Sequence, residues 1–347
     1  MSAGTPGGSA GTASRSTDGT PIRFSTVVDL NLFRVRLSSN VEDFSATSYF
    51  TRFGPDVPGA TADFEVRCID LARDRIDESV VRDQIDDTVR AKRMARGYYR
   101  GPYFGAPAYL VTRGRTFSVY GTSLERLVWP YFVKYLLCVY AAGEGYADLK
   151  AGGFASPEGG ATLLFGQSGG GKTVFLTQAC LGGARFLTNT HTLLRDGVAH
   201  AVPSAIRVRA DDVFRATIAR LRLPRHLEQG EYIARPEQLF PAPPVDAAPV
   251  RNIVIMGRRS AGAPALERVS SSTATAFLDQ FGMGVTTYGL KDDLISHFAH
   301  DIDAFAEHYG RMKKAIAEMC EGSRCYVSRV DMTDVAIRRA VLEQLSA

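Results

Sequence analysis

Short alternating and fully apolar runs fill the first third of the chain, and longer helical spacings dominate the last. "RFSTVVDLNLFRVRL" (23–37) alternates in places and predicts one or two strands. "ADFEVRCIDL" (62–71) predicts another, with Phe64, Val66 and Cys68 on one side and Glu65 and Arg67 on the other. From Ser79 to Arg96 the apolar residues Val80, Val81, Ile85, Val89 and Met94 fall at roughly helical spacing. "AYLVTRGRTFSVYG" (108–121) has two β-rich runs around Arg113-Gly114, a hairpin signature.

The stretch Ser123–Ala142 has helical composition, with Ser123 as its expected N-cap and Gly143 as its terminator. "YADLKAGGFAS" (146–156) predicts a short strand region and Pro157–Gly160 a turn. "ATLLF" (161–165) predicts a buried strand and Thr173–Leu181 a helix. "RFLTNTHTLLRDGVAHAVP" (185–203) reads as two strands joined by a tight turn at Arg195-Asp196-Gly197. Pro224–Pro249 is rich in proline and charge and predicts a long surface excursion. "RNIVIM" (251–256) predicts a buried strand, "SSSTATAFLDQF" (270–281) a capped helix, and the remainder is mostly helical. The expected organisation is a disordered tail over 1–21, a β-rich domain over 22–122 and an α/β domain over 123–347.

Composition changes this picture little. With 347 residues, 45% apolar and 22% charged, the chain can bury a full core. Its 41 basic and 37 acidic residues nearly balance, and no concentrated basic stripe points to nucleic acid. The densest basic run, Arg90, Lys92, Arg93, Arg96 and Arg100, reads as a solvated helix face. Five scattered cysteines argue against a zinc site and suit a reducing, cytoplasmic interior. Residues 1–21 are of low complexity and lack the apolar core of a signal peptide. No apolar run reaches membrane-spanning length; Val128–Ala142 is broken by Pro130 and Lys134.

The candidate chemistry lies at Gly166-Gln167-Ser168-Gly169-Gly170-Gly171-Lys172-Thr173, which fits G-x-x-x-x-G-K-[ST] at every position. Glycines let successive N–H groups converge on one point, and the helix that follows adds its positive end there. Lys172 would supply a full charge to the β and γ phosphates, and Thr173 a hydroxyl to Mg2+. A bare glycine run could be merely a flexible loop. The apolar strand before it, the apolar helix after it and the Lys-Thr pair argue for nucleotide binding instead. "NIVIM" lacks the terminal acid that holds magnesium in common P-loop ATPases, and no N-K-x-D pattern occurs.

"GYADLKAGGFASPEGGATLLFGQSGGGKTVFLTQAC" resembles the core of the HPr kinase/phosphorylase-like family, whose loop takes the form G-x-S-G-x-G-K-[ST]. The resemblance covers roughly Gly145–Gln280 and is specific at the loop. It implies an α/β fold with a P-loop nucleotide-binding core of the HPr kinase/PEP carboxykinase-like type, a β-rich N-terminal part and a largely helical C-terminus. It further implies ATP and Mg2+ as cofactors and transfer of a γ-phosphoryl group to a hydroxyl. Two departures stand out. Lys150 occupies the place of a family histidine, and the family's aspartate pair falls on Asn189-Thr190.

An amide cannot serve as general base, although Asn189 could ligate Mg2+ beside Thr173. His191 is the neighbouring candidate base, and strand alternation would put it on the same face as Asn189; a structural role is the alternative. Asp211-Asp212 read either as substitute acids or as a helix cap. Arg207, Arg209, Arg258 and Arg259 are available to pair with phosphate or an acidic acceptor. The catalytic candidates are Lys172, His191 and Asn189; the metal candidates are Thr173 and Asn189. The expected function is a kinase acting on a small molecule, peptide or protein, with no nucleic-acid or membrane partner. Relatives of the HPr kinase type often assemble, so a homo-oligomer is compatible with the resemblance, and the residues leave the oligomeric state open. The rival readings are a catalytically inactive nucleotide-binding accessory protein and a nucleotide hydrolase.

Overall fold

The computed structural model describes residues 20–44, 49–54, 61–74, 76, 87–89, 108–167, 169–225, 231–260 and 262–346. Of the tail expected over 1–21, residues 1–19 lie outside these; Thr20 is buried.

The first part folds into a six-stranded sheet in the order β1-β2-β3-β6-β5-β4. Its strands are β1 (Phe24–Asp29), β2 (Arg34–Ser39), β3 (Phe64–Asp70), β4 (Asp87–Val89), β5 (Ala108–Arg113) and β6 (Thr116–Gly121). The alternation in β3 is as the sequence predicts: Phe64, Val66 and Cys68 are buried and Glu65 and Arg67 half-buried. Strands β5 and β6 form the expected hairpin, turning at Gly114 with φ 60°. Of the helix expected over 79–96, only residues 87–89 are described, and they pair with β5 as a strand. The basic run from Arg90 to Arg100 lies outside the described residues.

The helical run that follows differs in detail from expectation. Ser123 sits at φ 51°, so the helix opens after it, at Glu125. It then widens into a π turn over Val128–Val133, where Pro130 has no N–H for an α-helical bond. The run continues as α1 (Lys134–Glu144) and ends on left-handed Gly145, two residues beyond the predicted Gly143. Seven of the eleven residues of α1 are buried, as its apolar sequence requires. Tyr140 stacks on Phe33 at 4.4 Å and Tyr135 meets Phe117 edge-on at 5.8 Å. One core cluster therefore runs from Val28 of the first sheet to Cys325 near the C-terminus.

Around this core lies a nine-stranded sheet. It contains β7 (Ala147–Leu149), β8 (Gly152–Ala155), β9 (Ala161–Phe165), β10 (Arg185–Thr188), β11 (Thr192–Arg195) and β12 (Val198–Ala201). The segment read as two strands over 185–203 is thus three. The chain breaks at residues 189–191 to move from β10, which pairs with β8, to β11, which pairs with β7. The Asp196-Gly197 turn is where it was predicted, with both residues at positive φ. Strand β13 (Ile206–Arg209) and helix α3 (Arg215–Leu221) come later in the chain than α2 (Lys172–Leu181), the helix after the glycine loop.

The region 224–249 is more ordered than its composition predicts. It contains β14 (Glu231–Ala234), which pairs with β13, and α4 (Pro236–Leu239), with residues 226–230 outside the description. Strand β15 (Ala247–Met256) joins the two wings of the large sheet. Its first residues pair with β12, and residues 250–256 run parallel to β9 and to β17 (Arg324–Ser328). Strand β16 (Glu267–Arg268) pairs with β17. The remaining helices are α5 (Ser271–Phe281), α6 (Gly284–Thr287), α7 (Lys291–His297), α8 (Ile302–Glu321) and α9 (Val335–Ser346). The hydroxyl of Ser270 caps α5, accepting from Thr273 N–H at 3.1 Å. The fold is mixed α/β. Among the described residues no helix is long and apolar enough to cross a membrane.

Candidate functional site

The glycine segment links β9, a strand of five buried residues, to the first turn of α2. Gly166, Gly169 and Gly171 take φ of 142°, 81° and 87°, which L side chains rarely adopt. At Gly166 there is also no room, since a Cβ would meet that of Met256, at the end of β15, at 3.0 Å. Ser168 lies outside the described residues; Gln167, Gly169 and Gly170 are exposed. Lys172 folds back over the loop, donating from Nζ to the carbonyls of Gly166 at 2.6 Å and Gln167 at 2.8 Å. Burial, with the neighbouring charge of Lys150, pulls its pKa down to about 8. Thr173 is half-buried at the second position of α2.

Strand directions gather the other candidates at the same edge. Gly152 pairs with Leu164, so Lys150 and Gly166 leave their strands side by side. β10 runs antiparallel to β8 and hence in the direction of β9, which brings Asn189 out at this edge too. The carboxyl ends of β9, β15 and β17 also meet here, the usual place for ligands in parallel sheets.

Asn189 is buried in the bend between β10 and β11. The bend is closed by Thr188 Oγ1 donating to the carbonyl of His191 at 2.5 Å. Asn189 and His191 are therefore not on one strand face, contrary to the alternation argument. Strand periodicity fails where a chain changes sheets.

His191 is 1% exposed. Its ring lies 5.2 Å from that of Tyr288 and 5.8 Å from that of Trp129, and Nδ1 is 3.4 Å from the Tyr288 hydroxyl. Burial and the charges of Lys134 and Lys150 hold it well below the usual histidine range. The imidazole is neutral at physiological pH.

Three residues around it carry charge into the interior. Lys134, at the start of α1, sits 4.3 Å from the centroid of the Tyr288 ring. Lys150, pinned by its N–H to Gly282 O at 2.7 Å, sits 5.6 Å from the same centroid. Burial lowers the pKa of both, that of Lys150 to about 8; Arg207 and Lys150 add to the effect on Lys134. Beneath them Asp148 is 1% exposed and accepts from the Cys138 thiol at 3.2 Å. Burial raises its pKa to about 7, against the opposing pull of Cys138 and Lys134. Lys134, Asp148 and Tyr288 form no local sequence pattern, since Tyr288 lies 140 residues beyond Asp148. The visible signal was a lone lysine inside the apolar run 128–142.

Of the four arginines, Arg207 and Arg209 both pair with Glu231 at 3.3 Å, and Arg259 pairs with Asp331 at 2.8 Å. Arg258, exposed just beyond β15, has no ion-pair partner among the described residues. Asp211 is a cap, its Oδ1 accepting from the N–H groups of Val213 and Phe214 at 3.0 and 3.1 Å. A cavity of about 420 Å3 lies away from the loop, at the far end of α2, lined by Phe154, Thr162, Gly182, Arg338 and Leu342. Among the described residues no group of three His, Cys, Asp or Glu side chains could hold a metal. Compared with protein-family models and with curated proteins, the chain matches none.

Proposed function

We propose that the chain is an ATP- and Mg2+-dependent kinase of the HPr kinase/PEP carboxykinase-like type, acting on a hydroxyl of a small molecule, peptide or protein. The observation that carries this reading is the buried-strand, glycine-loop, helix unit with Lys172 bent over its loop. Three glycines at positive φ and the start of α2 give the loop the backbone conformation in which N–H groups can be presented to one point, although the Gly170 N–H donates to Gln167 O at 3.2 Å. The fit to a nucleotide rests on that point. The Lys172 ammonium, now spent on two carbonyls, can exchange them for phosphate oxygens, which favour its charged form. Thr173 and Asn189 are neutral oxygen donors. They suit Mg2+ if phosphate oxygens and water complete the shell.

MgATP would supply an activated terminal phosphoryl group for transfer to the acceptor hydroxyl, with ADP and the hydroxyl proton as the released products. The chain's own part is electrostatic. Lys172 and the loop amides neutralise charge, Arg258 is available from the next strand end, and Asn189 orients oxygen atoms. No strong base is required for such chemistry. His191 is enclosed between Trp129 and Tyr288 and is given no part in the transfer.

A second reading, a nucleotide-binding accessory protein without catalysis, is favoured by Asn189-Thr190 in place of an acidic pair and by the enclosure of His191. The test is to follow γ-labelled ATP with Mg2+ and a panel of hydroxyl-bearing acceptors. Label on an acceptor supports the kinase, and its loss in K172A assigns the loop. Free phosphate alone identifies a hydrolase, and binding without turnover the accessory protein. Failure to bind any nucleotide overturns the proposal.

A further inference from the structure

The cavity at the far end of α2 has no part in the glycine loop, and its volume of about 420 Å3 lies within the range of small-molecule sites. Three segments wall it: the turn between β8 and β9, the end of α2, and one side of α9. The two helices approach closely because position 182 is glycine; a Cβ there would stand 2.7 Å from Leu342 Cδ1. Phe154, Ala184 and Leu345, all buried, give the cavity an apolar lining. Thr162 belongs to the same lining and is 1% exposed. Its hydroxyl accepts from Asn252 Nδ2 at 3.2 Å and keeps its own O–H to donate.

The charged residues of this cavity are unusual in their isolation. Arg338, Arg339, Glu158 and Glu343 line it, two of each sign, and none has an ion-pair partner among the described residues. Opposite charges four residues apart on a helix pair readily. On α8 they do so twice, Glu307 with Arg311 and Lys314 with Glu318. Arg339 and Glu343 have the same spacing on α9 and stay apart. Arg338 is half-buried and gives one N–H to a neutral acceptor, Gln178 Oε1, which leaves its charge unmatched. A cavity that keeps both signs apart over an apolar lining is complementary to a molecule carrying both signs and an apolar group.

We propose that this cavity binds a free α-amino acid with an apolar side chain. Arg338 and the Thr162 hydroxyl receive the carboxylate, Glu158 and Glu343 the ammonium group, and Phe154 with Leu342 the side chain. Nε and Nη2 of Arg338 remain for a two-pronged contact with the carboxylate, the strongest geometry for that pair. A plain anion or cation would engage one sign and leave the other unmatched. The site is independent of the kinase reading, since it lies at the opposite end of α2 from Lys172.

The experiment titrates the full chain calorimetrically with L-leucine and L-phenylalanine. Two truncated probes accompany them: isocaproate, which lacks the ammonium group of leucine, and isoamylamine, which lacks its carboxylate. At least one amino acid should bind at millimolar concentration or below, and both truncated probes at least about tenfold more weakly than leucine or phenylalanine. R338Q should lose at least about tenfold in affinity for the amino acid, as should E158Q combined with E343Q. K172A should bind it as wild type does. Glu158 and Glu343 are exposed, so their double variant keeps the fold even where R338Q does not. Absence of binding by both amino acids overturns the site. So does a truncated probe that binds as tightly as the amino acid, or equal affinity in wild type and the double variant.

Discussion

Four side chains show how burial sets the chemistry of this region. Lys172 and Lys150 are held near pKa 8, so small changes in local charge decide their protonation. His191 is pushed into its neutral form, and Asp148 is raised from its ordinary 3.8 to about 7. The last shift has a consequence for stability. Because the folded state holds the Asp148 proton more tightly than the unfolded chain, its contribution is complete below about pH 4 and is lost as pH rises toward 7. By linkage the loss amounts to roughly 3–4 kcal/mol across that window. In D148N the carboxyl no longer titrates, so urea unfolding should show a flatter dependence over pH 4–7 than in wild type. Parallel profiles for the two proteins would mean that Asp148 is ionised in the fold. Lys150 acts in the opposite sense above pH 8, where its early deprotonation makes stability rise with pH.

At the scale of elements, the site is made where the chain crosses between the two wings of the large sheet. Lys150-Ala151 joins β7 to β8, and Asn189–His191 joins β10 to β11. The crossings touch: Thr192 Oγ1 donates to Ala151 O at 3.3 Å, and Gly152 lies against the Asn189 carbonyl. A Cβ at Gly152 would stand 2.9 Å from that oxygen, a backbone atom with no flexible end to give way. Gly152→Ala should therefore push the 189–191 bend outward and cost about 1–3 kcal/mol in urea unfolding. Wild-type stability in that variant would show that the bend is slack.

These crossings also mark the limit of what the sequence makes legible. The glycine loop, the β5–β6 hairpin, the Asp196-Gly197 turn and the Ser270 cap are each coded within a few neighbouring residues, and each lies where it was expected. The break at 189–191 has no such signal, because a sheet change is decided by partners far along the chain. The same holds for Lys134. It reads as an interruption of an apolar run and meets the Tyr288 ring, which Lys150 also approaches, only in the fold. The region 224–249 misleads for a related reason. Its prolines bound β14 and α4, and do not prevent order.

For the whole molecule, one core spans the N-terminal sheet, α1 and the large sheet. Asn31 ties the two sheets further, its amide donating to the carbonyls of Ala201 at 3.1 Å and Asp246 at 2.9 Å. The lysine cluster lies along this junction, because Lys134 belongs to the helix packed between the sheets and Lys150 to the large sheet. In the proposed kinase the glycine loop, at the edge of the large sheet, would hold the phosphate donor. The most direct test of this account is a calorimetric titration of MgATP into wild type and K172A, with circular dichroism confirming equal folds. Saturable binding by wild type and at least about tenfold weaker binding by K172A is the predicted result. Equal affinity in the two proteins, or no binding in either, would contradict it.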